Sequence, residues 1–263
     1  MQMLRSFFDA ELWQRRALDG FFEAWGGDTG WLSREFMEPY AASWLAFDPS
    51  SSTDEALRDF DTVYNVLATD FRVFRPQSPS DCWPPQKIFE TIKREFVEFS
   101  WRGPVNLLNF AKSGTGPHLE SCLAKLQGIK PKKQYPLMLV SKFLHFYNPS
   151  LFPIYDNAMI WERVLNARFK EEYRQFCRRE RIPDYVAFEA DTAVWLRHYM
   201  NFASSLLSIA HGKFMQAFVE WLARQPGVDL ARQKFDAATL YATAFEFTII
   251  GATAAESAAT ASR

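Results

Sequence analysis

Cysteine is scarce in this chain: Cys82, Cys122 and Cys177 are the only three in 263 residues, and no two form a CxxC pair. That excludes a disulfide framework and a multi-thiolate metal site, and predicts a protein of the reducing cytoplasm. Long apolar runs are also missing. None approaches the roughly 18 residues of a spanning helix, and no cationic leader precedes an apolar stretch and cleavage site. Neither membrane insertion nor secretion is therefore expected. No segment alternates polar and apolar residues over a convincing length, which argues against β-structure. The G-x-S-x-G, H-E-x-x-H and dinucleotide-binding patterns are absent. Ser113-Gly114-Thr115-Gly116-Pro117 carries glycines but not the Gly-Lys-Ser/Thr that grips phosphate and magnesium, so it reads as a linker before a short helix over 118–127. His118 and Cys122 share an i, i+4 spacing without further clustered ligands. No metal site and no cofactor are expected.

Aromatic residues are abundant: 16% of the chain, with 25 Phe and 9 Trp. A chain of this length buries enough surface to fold without staples. The net charge of −1 conceals an uneven distribution, because residues 122–181 hold 12 Lys/Arg against 5 Asp/Glu. A basic middle in an otherwise acidic chain fits either a local anionic partner or a solvated, salt-bridged surface.

The hydrophobic periodicity is helical throughout. Leu4, Phe8 and Leu12, then Leu18, Phe22 and Trp25, mark a first helix; a second segment, kinked or split at Pro39, runs over 31–47. Ser52 to Glu55 has capping-box spacing. Behind it Leu57, Phe60, Tyr64, Leu67, Phe71 and Phe74 form an apolar stripe suited to a core. The proline-rich stretch 75–86 is the clearest internal boundary. Ile88, Ile92, Phe96 and Phe99 mark the next helix. Further helical regions are expected from Ile182 to Ala210, over 213–224 and over 229–249. The expectation is one all-α domain over 1–263 with roughly ten helices. It divides into an N-terminal part, 1–75, and a second part, 85–250, with a flexible tail at 251–263.

The most informative stretch lies between Leu126 and Leu165. Leu126-Gln127-Gly128-Ile129 ends one helix with a glycine suited to a left-handed position. Lys130, Lys132 and Lys133 crowd the turn that follows, which is either a phosphate clamp or a solvated connection. A helix from Pro136 to Tyr147 is apolar nearly all round and stops at Asn148-Pro149. Its polar residues Ser141, Lys142 and His145 fall within a sector of about 100°, so they face a cleft or satisfy neighbouring backbone groups. The loop then delivers Asp156 to the head of another helix. There a carboxylate serves as an N-cap, or as an ionised group that stabilises a developing cation or activates water. On that next helix Arg163, Lys170, Arg174, Arg178 and Arg181 lie at about 0°, −20°, 20°, 60° and 0°, a stripe able to follow a phosphate backbone.

Together these residues resemble the helix-hairpin-helix superfamily of base-excision DNA glycosylases. Leu126-Gln127-Gly128-Ile129 is similar to the family's hairpin, Asn148-Pro149-Ser150-Leu151-Phe152-Pro153-Ile154-Tyr155-Asp156 to its approach loop, and Arg163-Val164-Leu165 to its continuation. The stretch also resembles a group of uncharacterised bacterial proteins of this apparent fold. The resemblance implies a helix-hairpin-helix architecture and a hydrolase that flips a modified base from DNA. Asp156 would stabilise the oxocarbenium-like sugar as the N-glycosidic bond breaks. Lys132, counted from Gly128, stands where lyase-type members carry an amine, and Lys142 is a further catalytic candidate. Gly128, Lys130, Lys132, Lys133, Arg163, Lys170, Arg174 and Arg178 would hold DNA, with Ser141, His145, Tyr155 and Trp161 as cleft candidates. Lys130 replaces the second hairpin glycine of the family pattern, and no cysteine cluster for an iron–sulfur centre follows Asp156. The competing expectation is a non-catalytic helical module that binds nucleic acid or a protein partner, with Asp156 as a cap. Oligomeric state is not legible in the sequence.

Overall fold

The computed structural model describes residues 57–58, 60–61, 64, 83–100, 103–129, 136–155, 174–175, 178 and 192–210. Among them there is helix and no strand, in keeping with an all-α fold. The elements are α1 (Pro85–Glu95), a 3₁₀ turn (Val97–Phe99), α2 (Phe110–Ser113), α3 (Gly116–Ala124), a second 3₁₀ turn (Gln127–Ile129), α4 (Pro136–Tyr147) and α5 (Thr192–Ala210). No helix among the described residues is long and apolar enough to cross a membrane. The expected helices over 1–50, 213–224 and 229–249, the boundary at 75–82 and the tail lie outside the described residues.

α1 starts where Pro84-Pro85 fixes the backbone, with Pro85 in the first turn, where its missing N–H costs nothing. Ile88, Phe89 and Ile92 are buried on one face. Phe96 caps the helix at φ −109° and the 3₁₀ turn then swings Phe99 into the core, so the expected Ile88-to-Phe99 stripe is divided between two elements. Each of these side chains contributes about 1.5–3 kcal/mol by leaving water.

Farther on, α2 ends at Gly114, whose φ of 73° belongs to the left-handed region that glycine enters without a Cβ clash. α3 begins at once at Gly116, with Pro117 in its first turn, earlier than the expected 118. It ends at Ala124, and tighter i to i+3 bonds from Leu126 N–H to Leu123 O (2.9 Å) and from Ile129 N–H to Leu126 O (3.0 Å) carry the chain onward.

α5 packs against α2, α3 and α4. Trp195, Leu196, Tyr199, Met200, Phe202, Ala203 and Leu207 are buried, two and more to each turn, which gives α5 a broad apolar face. Polar ties help to fix it: Ala111 N–H donates to Ser204 Oγ (3.0 Å), and Arg197 Nη1 meets Glu120 Oε2 (2.8 Å). Of the Leu57-to-Phe74 stripe, positions 57, 60 and 64 are described and helical. Phe60 is fully buried, stacked on Phe143 of α4 at 5.4 Å and tilted against Phe89 of α1 at 5.5 Å. Arg58 and Asp61 are exposed, as an amphipathic helix requires.

Candidate functional site

α4 and the loop 148–155 form the centre from which Asp156 departs. α4 spans the expected Pro136–Tyr147. Its polar residues Ser141, Lys142 and His145 are nevertheless buried, at 1%, 4% and 2% exposure. Burial of polar groups demands partners, and for two of the three the partner is the returning loop. Ser141 Oγ accepts the Tyr155 N–H at 2.9 Å while donating to Met138 O at 3.0 Å. His145 Nδ1–H donates to Phe152 O at 2.6 Å, which fixes the proton on Nδ1. Burial holds the His145 pKa down at about 4 against the ordinary 6.5, so the ring is neutral near pH 7. Of the two alternatives for this polar sector, the bonds of Ser141 Oγ and His145 Nδ1 are of the kind that holds backbone. Lys142 is buried and engaged.

The exit from α4 is tied as tightly. Asn148 is fully buried. It accepts from Ser150 N–H (3.0 Å) and Ser150 Oγ (2.6 Å) through Oδ1, and its Nδ2 donates to Phe99 O (2.8 Å). Tyr147 Oη donates to Phe96 O at 2.7 Å, and burial pushes its phenol pKa well above the usual value. Leu107 N–H reaches Ser150 O (2.8 Å), and Tyr199 Oη of α5 donates to Ile154 O (3.2 Å). Tyr155, expected at a cleft, lies 3% exposed with its ring edge-on to Trp195 at 4.3 Å and to Tyr199 at 5.7 Å. The reason is chain direction: the bonds from Ser141 and Tyr199 draw the end of the loop into the contact between α4 and α5. Ser141, His145 and Tyr155 therefore belong to the core.

Gly128 departs from expectation in a different way. Its backbone is not left-handed; it sits inside the 3₁₀ turn Gln127–Ile129. Its lack of a side chain serves packing, because an added Cβ would fall 3.1 Å from Cζ2 of Trp83. Arg174 and Arg178 are helical and exposed, four residues apart on the expected stripe. Lys130, Lys132, Lys133, Asp156, Trp161, Arg163 and Lys170 lie outside the described residues. His118 Nε2 contacts Cys122 Sγ at 3.9 Å and Glu98 Oε2 at 3.3 Å, yet no group of three metal-binding side chains occurs among the described residues. Burial raises the Cys122 thiol pKa, and Glu95 and Glu98 raise it further, so it is no activated nucleophile.

The contributions that sequence reasoning missed are those of Asn148, Ser150, Tyr147 and Trp83. Asn148 reads in the sequence as a helix stop, and only its burial shows it to be the knot of the loop. No family model, no curated protein and no solved structure matches this chain.

Proposed function

We propose that this protein binds nucleic acid through its cationic middle and acts as a glycosylase-like hydrolase, with Asp156 as the catalytic carboxylate. The observation that carries this reading is the immobilisation of the loop that ends at Tyr155. Bonds from Ser141 and His145 of α4, Tyr199 of α5, Phe99 and Leu107 converge on eight residues. A surface N-cap needs no such support, whereas a group that stabilises charge in a transition state must be held to within about 0.5 Å. In this reading the carboxylate of Asp156 stabilises positive charge on the sugar as the bond to the base lengthens. The exposed Arg174 and Arg178 contribute to phosphate contacts.

A second reading, a non-catalytic nucleic-acid- or protein-binding module, draws on another observation. Ser141 Oγ and His145 Nδ1 are committed to the backbone of the loop, a structural role that a non-catalytic module needs as much as an enzyme does. One experiment separates the two. Duplexes carrying a panel of modified bases are incubated with the protein, and abasic sites are detected by alkaline cleavage. The glycosylase reading expects base release by the wild type, a loss of about 10²-fold or more in Asp156→Asn, and unchanged DNA affinity. Salt-dependent binding without release of any base would leave the binding module and remove the hydrolase.

A further inference from the structure

Trp83 precedes α1 and lies against the turn that leads into the three lysines. Its backbone N–H donates to Ile129 O at 2.9 Å. The indole edge bearing Nε1 faces Gly128: a Cβ there would stand 3.1 Å from Cζ2 and 3.4 Å from Nε1, so glycine is what lets the ring close on the turn. One helical turn along α1, Lys87 places its Nζ 3.9 Å from the centroid of the same ring. Trp83 is half-buried and Lys87 exposed. Glu90, the next acid along α1, accepts from Gln86 Nε2 at 3.0 Å. A cation is thus held over a ring that is itself fixed to Gln127–Ile129, and from Ile129 the sequence runs directly into Lys130-Pro131-Lys132-Lys133. An ammonium over an indole keeps its charge and outward N–H groups while losing part of its rotamer freedom, so less entropy remains to be lost when an anion binds.

We infer that Lys87 is a phosphate-contacting residue of the proposed nucleic-acid interface, with Trp83 as its positioning residue. The inference rests on the nucleic-acid reading above, but not on catalysis. It assigns α1, which the helix-hairpin-helix resemblance does not reach, to the binding surface.

The test is a salt titration of binding to labelled duplex and single-stranded DNA, using the full chain and the variants Lys87→Gln, Trp83→Leu, Trp83→Phe and Lys93→Gln. Lys93 lies on the same helix over Phe89, at 5.6 Å, and serves as the control. Lys87→Gln is expected to lower the slope of log affinity against log salt by about 0.9, the value of one phosphate contact on a duplex. Trp83→Leu is expected to weaken binding about two- to fivefold, with Trp83→Phe restoring most of it. Lys93→Gln is expected to change neither quantity. Wild-type binding whose slope survives Lys87→Gln overturns the inference and leaves the nucleic-acid reading standing. Absence of wild-type binding at low salt overturns both. Polyglutamate bound with the same dependence on Lys87 would replace the nucleic acid with an acidic protein partner.

Discussion

Two groups of polar residues in this protein make opposite use of charge and hydrogen bonding. Along α4 and its loop, Ser141, His145, Tyr147 and Asn148 are buried, and each makes a hydrogen bond to backbone. On α1 and at positions 174 and 178, by contrast, Lys87, Arg174 and Arg178 are exposed. The first group fixes geometry and is sensitive to the loss of a single atom, because a buried group left without a partner costs about 1–3 kcal/mol. The second tolerates substitution without loss of fold, because exposed charges contribute little to stability. Residues that would be grouped together as polar candidates in the sequence therefore divide by burial into a frame and a surface.

The contrast is broken most severely at Asn148. Asn148→Ala leaves the Phe99 carbonyl and the Ser150 N–H without their side-chain partners in the interior. A loss of about 2–5 kcal/mol in unfolding free energy is expected by chemical denaturation. A loss below about 0.5 kcal/mol, the scale of an ordinary surface substitution, would show that water replaces the side chain and that the loop is not held as described.

How much of this was legible beforehand follows from where the determining contacts lie. α4 was readable to its ends because the signals are local: Pro136 opens it and Asn148-Pro149 closes it. The buried positions Ile88, Ile92 and Phe60 were readable from spacing, since periodicity reports which face is apolar. Periodicity gives the angle of Ser141 and His145 on the helix but not what stands opposite, and the groups that stand opposite are supplied by the fold. Gly128 shows the same limit. A glycine after a helix reads as left-handed, but the reason for this one is the indole of Trp83, in a different element. Gly114 follows the local rule, with φ at 73°.

His145 sharpens the comparison through pH. Its pKa is about 4 in the folded chain, whereas an unfolded histidine titrates near the ordinary 6.5. The unfolded state therefore binds the extra proton first. The stabilisation is fully present above about pH 6.5 and is lost progressively as pH falls through 4, amounting to about 3 kcal/mol in total. Denaturant midpoints measured at pH 7, 5.5 and 4 should fall with this profile. In His145→Asn, whose amide retains a donor for Phe152 O, that part of the pH dependence should vanish. An unchanged pH profile in the variant would assign the dependence to other groups.

The smallest stability effect belongs to the surface set, and it completes the comparison because it comes with the larger effect on binding. Arg174→Glu combined with Arg178→Glu replaces two exposed, helical cations. Unfolding free energy should change by no more than about 1 kcal/mol, as expected for exposed side chains and their surface ion pairs. DNA affinity should fall, and its salt dependence should flatten by about 0.9 for each phosphate contact removed. A large loss of stability would move these arginines from the surface group to the frame. Unchanged binding would remove these two arginines from the proposed interface. Together the two readouts separate what holds the chain folded from what it offers to a ligand, a distinction that residue type alone does not make.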